Sequence, residues 1–164
     1  ILLDARTGIS EPAGQLLSGI AHLHVLLGTP QDQSWQGLNL VLDRLGKERV
    51  LAERPQAEVL LVQAMVPAGE PGKAAKEAFA ARAEQEFEAR FYAADEGDAD
   101  IDDRFWTLGD KDSQDAPHAP MPVDYDSKLA SFGDISEVAD ALCGGPYPPI
   151  VERIASRFLT EPET

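Results

Sequence analysis

The sequence predicts an α/β domain, an open and mostly parallel sheet with helices on both faces. Two observations predict it. Short apolar runs ("ILLD", "HLHVLLGT", "AEVLLVQAMVP") alternate with longer segments of helical periodicity. The third run is apolar at nearly every position, as in a strand covered on both sides. Strands separated by helices of this length pair in parallel through right-handed crossovers.

The elements follow in order. Residues 1–4 read as a strand that delivers Asp4 to its carboxyl end. "EPAGQLLSGIA" fits a short helix, with Pro12 tolerated in its first turn. Residues 22–29 form the next strand and end in a Gly-Thr-Pro turn. "DQSWQGLNLVLDRLG" is helical: Trp35, Leu38, Val41, Leu42 and Leu45 share one face, and Gly46 is placed to stop it. Residues 57–67 are the third strand. "GKAAKEAFAARAEQEFEARFYA" is a long helix anchored by Phe79, Phe87 and Phe91.

The second half is less regular. Residues 95–115 are acidic and turn-rich, which predicts a surface excursion. "HAPMPVDYD" holds a short last strand. "DISEVADALCG" and "YPPIVERIASRFL" read as helices, with Gly144, Gly145, Pro146, Pro148 and Pro149 punctuating the gap.

A chain of 164 residues, 43% of them hydrophobic, suffices for one domain with a real core, here residues 1–164. Its 29 acids against 14 bases give a formal charge of −15. That predicts a soluble protein without direct affinity for nucleic acid. No apolar run approaches the length of a membrane span. The single Cys143 excludes an internal disulfide, suits a reducing, cytoplasmic compartment, and reads as a small buried apolar residue.

Asp4 and Gly8 fit the pattern hhhDxxxG. An acid at a strand tip holds a magnesium ion through its waters, and a glycine there lets a backbone N–H approach a terminal phosphate. Arg6 and Thr7, between them, offer a cation and a hydroxyl to phosphate or water. The plain alternative for Asp4 is a turn former or helix cap. The remaining candidates read as structural. His22 and His24 alternate along one strand, but no third metal ligand is near. His118 sits in a loop beside prolines. Trp35 and Trp106 are apolar anchors. Asp98, Asp100 and Asp102 open like a calcium loop, yet Asp103 stands where the turn glycine belongs and Gly109 where the bidentate Glu belongs.

The stretches "ILLDARTGISEPAGQLL" and "AHLHVLLGTPQDQSWQGLNLVLDRL" resemble the middle of the ParA/MinD-like P-loop ATPases, closest to a bacterial branch with a KGGVGR-type Walker A motif and an "hDxRTG" segment. The resemblance is best over residues 1–65 and continues more loosely through "MPVDYDSKLASFGDISEVADAL". It implies ATP, magnesium, and a homodimer or protein partner. Asp4 is then the Walker B-like acid and metal residue, with Arg6 beside it. Thr7 and Gly8 belong to the segment that senses the γ-phosphate, and Pro122, Val123 and Asp124 lie near the adenine.

The departure from that family is the phosphate cradle. No GKS, GKT or KGGxG occurs, and "PAGEPGKAAKEA" has the wrong spacing, with Ala74 where a Ser or Thr should bind metal. The expectation is therefore a carboxyl-terminal part of a P-loop switch ATPase, inactive by itself. The alternative is a non-enzymatic acidic α/β domain that binds a basic partner. A receiver-like mononucleotide binder fits less well, because its paired acids and late lysine are not evident. Residues 95–115 are expected to form a surface loop rather than a cation site. Calcium should leave the melting temperature unchanged. A rise of several degrees that disappears in Asp98→Ala would establish a cation site instead.

Overall fold

The computed structural model describes residues 17, 20–51, 58–93, 106–113 and 115–158. The strand expected at residues 1–4, and with it Asp4, Arg6, Thr7 and Gly8, lies outside the described residues. So does most of the helix expected at 11–21.

Three strands form one sheet in the order β1-β2-β3. β1 is Leu23–Gly28, β2 is Glu58–Val66 and β3 is Met121–Asp124. Both pairings are parallel, from Leu23 opposite Glu58 to Gly28 opposite Gln63, and from Val62 opposite Met121 to Val66 opposite Asp124. β2 is central and its apolar run is buried, as Val59, Leu60, Leu61, Val62 and Val66 show. The open parallel sheet expected from the sequence is present.

The crossovers are α1, Asp32–Leu51, and α2, Glu70–Arg90. The strand order advances in a single direction. Right-handed connections then place both crossover helices on the same face. They do share one core, in which Trp35, Leu38, Leu42 and Leu45 of α1 meet Phe79, Ala83 and Phe87 of α2 over Val59 and Leu61. Val41 packs partly buried against it. The predicted face of α1 is thus the buried one. Ring pairs join the layers, Trp35 to Phe79 at 4.8 Å and Phe87 to Phe91 at 5.3 Å between centroids. Each such side chain contributes about 1.5–3 kcal/mol on burial.

Gly46 does not stop α1, which runs on to Leu51. Its bare Cα is instead a contact surface: a Cβ at Gly46 would lie 2.0 Å from the Arg90 carbonyl oxygen. Ion pairs tie the same helices outside the core, Arg82 to Asp32 at 2.7 Å and Arg90 to Asp43 at 2.9 Å. The Arg82 guanidinium also lies 5.1 Å from the centre of the Trp35 ring.

Beyond α2 the chain is pinned at once. The Ala93 N–H donates to the Trp106 carbonyl at 2.9 Å, and the Leu108 N–H donates to the Ala93 carbonyl at 3.1 Å. A 3-10 turn follows at Leu108–Asp112, where the Thr107 N–H donates to the Asp110 carboxylate. Lys111 reaches back to Glu84 and Glu88 of α2. The described end of the acidic excursion is therefore tied to α2. His118, read as an isolated loop residue, lies 2.6 Å from the Tyr92 hydroxyl through Nδ1.

After β3 come α3 (Ser127–Ala130), a 3-10 turn (Ile135–Val138), α4 (Ala139–Cys143) and α5 (Tyr147–Ser156). The single helix expected over 134–144 is thus split into two short pieces. Pro148 and Pro149 belong to the first turn of α5, where a missing N–H costs nothing, rather than to a gap. Cys143 is exposed, not buried, because α4 is too short to present an apolar face. Arg153 of α5 pairs with Asp115, and Arg157 lies 3.9 Å from Glu58. These two arginines line a small cavity with Leu23, Val59 and Leu60, so α5 reaches the sheet at its amino end.

The two glycines of α1 should respond oppositely to alanine. Gly46→Ala drives a methyl into backbone and should cost about 1–3 kcal/mol. Gly37 has nothing within 4 Å of its would-be Cβ. Gly37→Ala should therefore gain about 0.5–1 kcal/mol. Urea denaturation of both variants checks the pair, and a Gly46→Ala protein as stable as wild type would disprove the contact.

Candidate functional site

In open parallel sheets, ligands bind beyond the carboxyl ends of the strands. Here that edge comprises Gly28 and Thr29 after β1, Gln63 to Gly69 around the end of β2, and Asp124 with Tyr125 at the end of β3. The strand order does not reverse among the described strands, so the crevice that such a reversal creates is not among them.

Each strand reaches the edge differently. Gly28 lets α1 and α2 close over β1: a Cβ there would lie 2.7 Å from Leu38 and 3.1 Å from Phe79. The Thr29 N–H donates to Ser34 Oγ at 2.9 Å, which turns the chain into α1. Gln63 is fully buried. Its Nε2 donates to the Ala75 carbonyl at 3.1 Å, while its Oε1 has no partner among the described residues. In the sequence, Gln63 stands out as the one polar residue inside an apolar strand.

β2 then departs from regular pairing. The step from Gln63 to Val66 spans three residues while its partner step, Pro122 to Asp124, spans two. That is a bulge. It places Met65 at φ 58°, in the left-handed region, with its side chain exposed. No sequence signal marks this, because Gly and Asn are the residues that usually announce a positive φ.

The loop after β2 is closed rather than open to a phosphate. Gly69 has φ 73°, and the N–H groups of Gly72 and Lys73 both donate to its carbonyl. A Cβ on Gly72 would lie 1.9 Å from the Pro67 carbonyl oxygen. The glycine of "PAGEPGKAAKEA" is thus occupied by its own loop, and the described residues supply no cradle there.

Of the expected site residues, Pro122, Val123 and Asp124 fall in β3 at this edge. Pro122 and Asp124 are exposed and Val123 is half-buried. Asp124 pairs with Lys76 of α2 at 3.0 Å. The two histidines of the first half separate in role. His22 is exposed just ahead of β1, whereas His24 is buried on the core side with Nε2 unpartnered among the described residues. Among the described residues no three His, Cys, Asp or Glu side chains gather as metal ligands, and no helix is long and apolar enough to cross a membrane.

Comparison with known protein families, with curated proteins and with solved structures returns no match.

Burial lowers the pKa of His24 below its ordinary value of 6.5, and burial likewise lowers that of His118. The folded state therefore binds fewer protons than the unfolded chain just below that value. Stability contributed by these neutral rings is complete above about pH 6.5 and is lost as pH falls toward the depressed folded values. His24→Leu should flatten the acid side of the stability profile. Denaturation midpoints between neutral and mildly acidic pH check this, and an unchanged slope would place the titration elsewhere.

Proposed function

We propose that this chain supplies the strand-tip acid, switch segment and base-contacting strand of a ParA/MinD-like ATP-binding switch ATPase. The observation that carries the reading is the segment Asp4-Ala5-Arg6-Thr7-Gly8, with the similarity that continues through "AHLHVLLGTPQDQSWQGLNLVLDRL". The parallel sheet supports it, because β1 and β2 each send a carboxyl end to the edge where such a site is built. Pro122, Val123 and Asp124 on the same edge are consistent with a place beside a base.

In this reading the phosphate cradle comes from a KGGVGR-type segment, since Gly72 is closed against Pro67. Bound magnesium would neutralise phosphate charge, with Asp4 holding it through water. Gly8 would offer its N–H to the terminal phosphate, and Arg6 either meets phosphate or pairs with Glu11. Pro122 and Val123 would exclude water from one side of the base. ATP binding would set the switch or a homodimer contact, and hydrolysis would reset it. The strongly acidic composition favours the second reading, a non-enzymatic interaction domain.

Three measurements test the proposal. The 164-residue chain alone should bind ATP–magnesium weakly or not at all. Low-micromolar binding in a calorimeter would show that its site is already complete. In the protein that carries the cradle, Asp4→Ala should lower the hydrolysis rate on the order of 10²–10³-fold. Gly8→Ala should keep ADP affinity and lose the response to ATP. Near-normal turnover of Asp4→Ala would make Asp4 a turn residue and remove the basis of the ATPase reading.

A further inference from the structure

The sheet face turned away from α1 and α2 carries a row of exposed apolar side chains at its carboxyl end. Leu27 of β1 is 66% exposed, Met65 of β2 61%, and Tyr125, one residue past β3, 52%. Their side of the sheet follows from their neighbours. Leu26 packs against the α1/α2 core and Gly28 touches Leu38 and Phe79, so Leu27 between them points the other way. Asp124 reaches Lys76 of α2, so Tyr125 alternates away from it. Gln63 bonds to α2 and Val66 lies near Gly72, so the bulge between them leaves Met65 outside the core. Tyr125 continues the ladder, its N–H donating to the Val66 carbonyl at 2.8 Å. Adjacent strands lie about 4.8 Å apart and rise about 3.3 Å per residue. Leu27 is level with Val62 and Met121, while Tyr125 follows the Val66–Asp124 pair, so the row is a diagonal of roughly 16 Å.

Single exposed apolar residues are ordinary, but Met65 is not. A glycine or asparagine would take its φ of 58° with less strain. Backbone strain here holds an unbranched, adaptable side chain out in water, an arrangement found at binding surfaces. The surrounding charge narrows the occupant. The chain that follows Tyr125 carries Asp126, Asp134 and Glu137 against Lys128, and the whole chain carries −15. A second copy would bring the same negative charge onto the row, and so would a polyanion.

We propose that this row docks a basic amphipathic segment of another protein, its apolar face on Leu27, Met65 and Tyr125 and its Lys or Arg side chains drawn to the acidic stretch that follows Tyr125 in the chain. The inference does not rest on the nucleotide reading.

The test uses the full chain and three labelled synthetic peptides: an amphipathic leucine–lysine helix, a scramble of the same composition without an apolar face, and a leucine–glutamate helix. By fluorescence anisotropy, the amphipathic basic helix should bind about ten-fold or more tighter than the scramble, and the acidic helix should not bind. Met65→Gly and Tyr125→Ala should each weaken binding about ten-fold. Leu40→Ala, at an exposed position of α1, should leave it unchanged. Met65→Gly should melt at the wild-type temperature or above, because glycine relieves the left-handed backbone. Equal binding of the scramble, or unchanged binding by Met65→Gly, would overturn the proposal. A sharp loss of melting temperature in Met65→Gly would make Met65 a packing residue and overturn it too. Displacement of the peptide by ATP would assign the row to a nucleotide, and self-association lost in Met65→Gly would assign it to a second copy.

Discussion

The described fold depends on the seam in which α1 and α2 press aromatic rings onto one face of the parallel sheet. Parallel strands cannot be joined by tight turns, so each pairing requires a helix that returns the chain to the amino edge. Trp35, Phe79, Phe87 and Phe91 are what fix those two helices in place. Their bulk leaves little tolerance elsewhere. Gly28 is small because Leu38 and Phe79 fill the space above it, and Gly46 is small because the end of α2 passes against it. The arginines that flank the seam pair with Asp32, Asp43 and Glu86 at partly exposed positions, where ion pairs add little energy but orient long side chains.

One consequence of the seam is that the two faces of the sheet are unlike. The helical face is apolar and closed. The other face keeps Leu60 and Val62 buried but leaves Leu27 and Tyr125 largely in water. The carboxyl edge lies where these two regimes meet. Gln63 belongs to the closed side, with one amide atom bonded to α2, while Met65, two residues on, belongs to the open side. In a regular strand Gln63 and Met65 would share a face, and the bulge between Gln63 and Val66 separates them.

Much of this was legible in the sequence. Unbroken apolar runs give strands and i, i+3, i+7 spacing gives a helix face, so β1, β2, the buried face of α1 and the phenylalanine anchors of α2 followed directly. What was not legible are the places where tertiary contact overrides local preference. Gly46 has the look of a helix stop, yet α1 continues through it because close approach to Arg90 requires the missing side chain. Met65 carries no mark of a left-handed backbone, and the Tyr92–His118 contact joins residues whose proximity no local pattern encodes. The carboxyl-edge position of Pro122–Asp124 followed from reading a last strand there, whereas the Asp4–Gly8 segment lies outside the described residues.

The bridge between Ala93 and Thr107 has a meaning beyond local pairing. It holds Ala93 against Trp106 and Thr107 at the foot of α2, with Lys111 and the Thr107–Asp110 cap securing the outgoing chain. Because Ala93 is already joined to Trp106 and Thr107, these flanks are held by their own bonds. Lengthening a closed loop costs only about 0.6 kcal/mol per doubling. Chain length added between Ala93 and Trp106 therefore adds only that small closure cost to the pairing of the two flanks, so the bridge works as a fixed clasp at the foot of α2.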